Sequence, residues 1–300
     1  MYLLDRAVHR NGDSLQSRSY LIEDGQVRYV TGNFKKWKRI RSVLEGIALE
    51  PGRVMAANRL LDAANFTSFR EQQAALIEKG CTTVVVLPEA AYERQLEATL
   101  KRAKHALASS TLDYVIGLSI PLTLLRSSVL RRCQKMKIPL LQIKLTSCRQ
   151  LQELPWSHLA QTLMSYPILL IPSVDEHVAE QQMLLDVWEQ CCEHYHLHTA
   201  PPLLEEAPWT KSLLQKSGLY PEKGVLLHGS DADYLLFAPE DQGGTVARKD
   251  GFVYHDNNPS IVVVRGQIIK ENQTTVGKPG YGRYLQIKRP GRFLAIEDAT

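Results

Sequence analysis

The sequence predicts an α/β protein, with parallel strand–helix units in the middle of the chain and antiparallel hairpins at both ends. Four stretches carry that prediction. Phe66, Phe69, Gln73 to Ala75 and Ile77 keep helical spacing up to Lys79-Gly80, where a glycine closes the helix. Cys81-Thr82-Thr83-Val84-Val85-Val86-Leu87-Pro88 follows at once, β-branched and apolar enough for a buried parallel strand. Tyr20 to Val27 turns over Asp24-Gly25, and Asn258 to Ile269 turns over Arg265-Gly266, each an apolar run broken by a turn signal.

The remaining elements follow in order. Residues 91–109 read as a charged amphipathic helix, Leu112 to Leu118 as the next strand, and Ile138 to Leu145 as another, so strands and helices alternate at the spacing of βα units. Beyond Thr199, Pro201-Pro202 and one short helix lead to Gly218, Gly224 and Gly229, which mark sharp turns before the apolar strand Tyr234-Leu235-Leu236-Phe237.

Composition narrows the function classes. The chain has 300 residues, 44% hydrophobic and 23% charged, which suits a globular protein with a large core and excludes a disordered one. It shows no apolar run of bilayer length and no signal-peptide core near Met1, so the expected location is the cytoplasm. Five irregularly spaced cysteines (Cys81, Cys133, Cys148, Cys191, Cys192) exclude a disulfide framework. The net charge of +4 is mild. The run from Lys35 to Arg41 holds one tryptophan among basic residues and could grip phosphate. With no second basic, aromatic-rich segment beside it, it reads as a solvated face. Residues 131–137 are basic as well, but charge is their only signal, and nucleic acid is not an expected partner.

Several of these stretches resemble one family. Gly229-Ser230-Asp231-Ala232-Asp233, with the strand after it, resembles the segment that carries cyclic amidohydrolases (dihydroorotases, hydantoinases, allantoinases) of the amidohydrolase superfamily out of their barrel into a small sandwich. Residues 81–88 are similar to a strand of that barrel, and Gly280-Tyr281-Gly282-Arg283-Tyr284-Leu285 is similar to the C-terminal tail of hydantoinases. The resemblance implies a TIM-type (β/α) barrel over residues 51–221 and a β-sandwich built from residues 1–50 and 222–300. After Thr199 it skips two barrel strands, among them the one with the catalytic aspartate. The implied barrel is therefore incomplete or distorted and the chain truncated relative to the family. Missing strands would leave parallel edges open, which predicts a homo-oligomer, most simply a dimer.

The same resemblance locates the residues that matter for chemistry. Pro51-Gly52 matches the turn before the family's first barrel strand, which ends in two metal-binding histidines. Ala57 and Arg59 stand in their places, and Met55 replaces an aspartate. Pro172 occupies the position of a further histidine ligand. Lys144 matches the lysine that many members carboxylate to bridge two metals. Read from the residues alone, Lys144 either acts catalytically or pairs with a carboxylate. The dense cluster Cys191-Cys192-Glu193-His194-Tyr195-His196-Leu197-His198 is open in the same way. On a strand its three histidines would share a face as metal ligands, and otherwise it is a helix end with exposed histidines. By resemblance, His196 or His198 is a surviving ligand.

Two functions follow as expectations. The first is a catalytically inactive amidohydrolase-like protein, without a cofactor, retained for binding or regulation and open to a protein partner. The second is a hydrolase of cyclic amide C–N bonds with a rebuilt zinc or other divalent metal site, using Lys144 with His194, His196 or His198 and drawing on Cys191 or Cys192. Hydrolysis of that kind needs a metal to activate water and a base to take the proton.

Overall fold

The computed structural model describes residues 1–11, 14–32, 34, 37–175, 180–237, 246–249, 252–255 and 258–292. Lys35 and Lys36 of the basic run lie outside them. No helix among these residues is long and apolar enough to cross a membrane.

The N-terminal strands are β1 (Tyr2–Asn11), β2 (Ser14–Glu23), β3 (Gln26–Thr31), β4 (Arg41–Val43) and β5 (Ala48–Pro51). The middle of the chain supplies β6 (Arg53–Ala56), β7 (Cys81–Val86), β8 (Asp113–Ile116), β9 (Leu118–Pro121), β10 (Leu140–Leu145) and β11 (Leu169–Val174). The last group is β12 (Tyr234–Phe237), β13 (Val246–Lys249), β14 (Phe252–His255), β15 (Ile261–Val264), β16 (Gln267–Glu271) and β17 (Thr274–Thr275). Among the described residues seven α-helices are interspersed: α1 (Phe66–Glu78), α2 (Leu96–Ala106), α3 (Ser127–Lys135), α4 (Cys148–Gln152), α5 (Trp156–Leu163), α6 (Gln181–His194) and α7 (Lys211–Ser217).

Strands from the two ends of the chain meet in one nine-stranded sheet, ordered β17-β16-β15-β12-β5-β1-β2-β3 with β4 beside β1. The stitch is β12, which pairs antiparallel with β5 from Tyr234↔Pro51 to Phe237↔Ala48 and with β15 on its other side. The sequence suggests a small sandwich here. Among the described residues β12 joins the N-terminal and C-terminal strands edge to edge, and β13 and β14 pair with each other in a separate two-stranded sheet. At Gly52 the chain leaves this sheet for the parallel half, and any side chain there would collide with Thr82, whose Oγ1 would stand 2.3 Å from a Cβ.

The parallel half consists of the ladders β6-β7-β8 and β9-β10-β11. Gly117 separates β8 from β9 and makes them one strand that changes partners, from β7 to β10. The Gly117 N–H donates to the Val86 carbonyl at 2.9 Å. A Cβ at this position would lie 2.6 Å from a Leu87 methyl and 2.8 Å from the Leu140 carbonyl, so only glycine lets the neighbouring strands approach this closely. Five strands result where the sequence shows a plain βα alternation. Val84, Val86, Ile116 and Leu170 pack against Phe69, Leu76, Leu100 and Leu159 of the surrounding helices. Alternate residues Val85, Val115 and Leu169 face the other way, as the two-residue period of a strand requires.

That second face is filled from an unexpected source. Trp209, Leu214 of α7, and Leu285 and Ile287 of the C-terminal segment pack onto it. The Leu285 N–H donates to the Tyr114 carbonyl at 2.8 Å, and the Tyr166 hydroxyl to the Ile287 carbonyl at 3.0 Å. Each such leucine or isoleucine contributes about 1.5–3 kcal/mol by leaving water. The sequence assigns residues 281–287 to the sandwich, and the structure has them running back along the parallel strands.

Both free edges of the parallel half are met by one connecting stretch. The Leu170 N–H of β11 donates to the His198 carbonyl at 2.9 Å. On the far side, the Glu206 and Trp209 N–H groups donate to Ala56 and Val54 of β6 at 2.8 and 2.9 Å. Residues 198–209 thus run from one edge strand to the other. No closed barrel ladder forms among the described residues.

Candidate functional site

In a sheet of parallel strands the chemistry is expected at the C-terminal strand ends, where loops bring side chains from several strands together. Ala57 lies there, buried at 2% exposure, and Met55 is in the core beneath it. The next residues are tied by polar contacts. Asn58 donates from its side-chain nitrogen to Glu205 at 2.6 Å and accepts from the Leu87 N–H at 2.6 Å. Arg59 pairs with Glu206, which also accepts from Lys79 at 2.5 Å. The Lys79 hydrogen bond, with the nearby Arg59 charge, holds the Glu206 carboxyl below the usual range even though burial opposes it.

Lys144 is at the end of β10, in register with Pro121 of β9 and Ser173 of β11. Its ammonium donates to Glu89 at 2.6 Å, and both side chains are well exposed. Of the two readings the sequence leaves open, carboxylate pairing is the one this geometry displays. Pro172 is buried within β11 and offers no lone pair to a cation.

The histidine cluster proves to be a helix end. Helix α6 continues to His194, and His196 follows in a left-handed conformation with φ 51°. His198 sits beside Leu170, close to the N-terminal start of β11. Lys144 ends its own strand, so the structure sets it and His198 toward opposite ends of the sheet. Cys192 is buried and its thiol is pushed up to about 12 by that burial, which suits packing better than metal ligation.

The dense ionic centre of the molecule lies elsewhere, at residues the sequence reading left without a chemical role. Carboxylate oxygens of Asp113, Asp231 and Asp233 come within 4.8 Å of one another, all buried. Three converging carboxylates are a donor set fit for a hard cation. Here the cation is the Lys223 ammonium, fully buried, at 2.5 Å from Asp113 and 2.8 Å from both Asp231 and Asp233. Its three N–H bonds match three acceptors. Arg265 reaches Asp113 at 3.2 Å, and Arg283 closes on Asp231. Backbone N–H groups of Arg265 and Arg283 also donate to Asp233 and Asp113, at 2.7 and 2.8 Å.

Burial works against the Lys223 charge, but Asp233, Asp113 and Asp231 outweigh it and raise its pKa above the ordinary lysine value. Burial also raises the Asp233 carboxyl. Lys223 pulls it back, while Asp113 and Asp231 add to the rise. The lysine is held charged at neutral pH. Sequence offers half a signal for this cluster, since the Asp-Ala-Asp alternation puts two carboxylates on one face. The partners Asp113 and Lys223 are 110 residues apart and carry no pattern of their own.

Comparison with known proteins agrees with this architecture. No family model matches the chain. A D-hydantoinase of Geobacillus stearothermophilus is 31% identical over 92 residues, which cover 28% of this chain and 20% of that relative, so the match spans about a fifth of the relative's length. Among solved structures, a D-hydantoinase aligns with TM-score 0.67 at 12% identity, over 97% of this chain and 100% of that one. An L-hydantoinase (dihydropyrimidinase) from Arthrobacter aurescens aligns with TM-score 0.61 at 12% identity, over 95% and 100% of the two chains. The atrazine chlorohydrolase of Arthrobacter aurescens TC1, solved in complex with zinc, aligns with TM-score 0.51 at 13% identity, over 92% and 96%. The chain shares the fold of hydantoinases and dihydropyrimidinases.

Proposed function

We propose that this chain is a catalytically inactive hydantoinase-fold protein, retained in the cytoplasm for binding or regulation. The observation that carries the reading is the side-chain chemistry at the strand ends. Ala57 and Pro172 have no lone pair to give, and Arg59 is a cation already paired with Glu206. Zinc in such a fold needs several nitrogen, oxygen or sulfur donors converging on one point. The residues present do not fit that requirement. Lys144 is engaged as an ammonium with Glu89, His198 sits toward the other end of the sheet, and the one convergent carboxylate set among the described residues is filled by Lys223.

Assembly as a homodimer, with a protein partner as the object of regulation, belongs to the same proposal. Residues 198–209 partly cover the open parallel edges within the chain. A rebuilt metal-dependent hydrolase of cyclic amides remains the competing function, and it would need Lys144, His196 and His198 in one place.

The test is a ring-opening assay with hydantoin and a dihydropyrimidine as substrates, run on untagged protein with added zinc. The expected rate equals that of buffer with zinc. Turnover that disappears in a Lys144→Ala variant would overturn the inactive reading.

A further inference from the structure

A cavity of about 800 Å³ opens near the N-terminal start of β11, between the end of α5, the turn after α6 and the C-terminal segment. Its size falls within the usual range for small-molecule sites, about 300–1,000 Å³. Two properties of its lining are unusual together. The charged side chains that line it are of one sign: Arg289 and Arg292 stand beside the His196 and His198 rings, with no aspartate or glutamate among the described lining residues. Its apolar wall is formed by Leu163, Ile168 and Leu197.

Two of these side chains, Arg289 and His198, are short of partners among the described residues. Arg289 has no ion pair or side-chain hydrogen bond among the described residues. The Nδ1 atom of His198 is buried without a hydrogen-bond partner. A buried polar atom left unpaired is costly, and native structures keep few of them without reason. Burial, with Lys216 and Arg289 nearby, lowers the His198 pKa, so the ring is a neutral donor whose tautomer adapts to what it meets.

We propose that this cavity binds a small organic anion, a carboxylate or phosphate carried on an apolar body. The Arg289 guanidinium takes the anionic group in a charge-assisted pair, the His198 ring lines the wall beside it, and the apolar body lies against Leu163, Ile168 and Leu197. The site is separate from the strand ends where the family's chemistry would lie, since Lys144 marks the other end of the sheet.

Isothermal titration of the full chain with benzoate, phenyl phosphate, benzyl alcohol and inorganic phosphate tests the assignment. At least one aromatic anion should bind about tenfold or more tighter than benzyl alcohol, which has the same body without the charge. Phenyl phosphate should also outdo inorganic phosphate, which lacks the body. Whichever of benzoate and phenyl phosphate binds tighter identifies the anionic group. Arg289→Gln should lose about tenfold in affinity for that anion with an unchanged unfolding midpoint. Equal binding of benzyl alcohol, no binding of either aromatic anion at millimolar concentration, or an Arg289→Gln variant that binds as well as the parent would overturn it.

Discussion

Lys144 and Lys223 are both lysines set against carboxylates, and they have opposite meanings. Lys144 stands where the sequence points to chemistry, yet it pairs with the single carboxylate of Glu89 in solvent, where both side chains keep much of their hydration. Lys223 stands in a turn that the sequence marks only as a landmark, yet it is fully buried among three aspartates. The two differ in dielectric surroundings. In water a lysine–glutamate contact gains little beyond what each ion already had, whereas inside the protein every carboxylate depends on the cation beside it. Lys223 also joins parts of the chain that are remote in sequence: Asp113 opens β8 in the parallel half, Asp233 immediately precedes β12 in the nine-stranded sheet, and Arg283 belongs to the returning C-terminal segment. An internal ammonium thus holds these distant parts of the scaffold together.

Substitution at the two lysines separates these roles. Lys223→Met leaves buried carboxylates without their central cation and should cost about 3–5 kcal/mol of unfolding free energy in urea titration. A cost below about 1 kcal/mol would mean that the arginines carry the cluster without the lysine. The Glu206 contacts should come next. Its carboxyl is held below the ordinary value, so the stability it adds is fully present above the unfolded carboxylate range, about pH 4, and is lost as pH falls through its folded value. Glu206→Gln should be less stable than the parent by under about 1 kcal/mol at neutral pH, and the difference should vanish in acid. Thermal melts of both proteins across that pH range check the sign, and a gap that widens in acid would contradict it. The smallest effect belongs to Lys144→Ala, which should change stability by less than about 0.5 kcal/mol in the same urea titration.

Much of the fold is legible in the sequence because its signals are local. The α1 spacing, the β-branched run of β7 and the turns at Asp24-Gly25 and Arg265-Gly266 are written within a few residues each, and all four form as expected. Ala57, Arg59 and Pro172, which stand at the ligand positions the resemblance implies, can be read directly as well. What escapes is set by distant contacts. Residues 112–118 give no hint that Gly117 divides one strand between two partners, because the reason lies in Leu87 and Leu140. Tyr281 to Ile287 have sheet-like residues, and only the empty face of the parallel half explains why they go there. The density of His194, His196 and His198 attracts attention as a ligand set. Helix α6 overrides it by carrying the chain to His194 and turning it left-handed at His196.

The proposal of an inactive protein rests on the described residues keeping their cation centre as a lysine, with Asp113, Asp231 and Asp233 around Lys223. Elemental analysis of untagged protein, incubated with zinc and then exchanged into metal-free buffer, tests it most directly. The account predicts zinc well below one equivalent per chain. A full equivalent retained by the parent and lost in His196, His198 or Lys144 variants would contradict it.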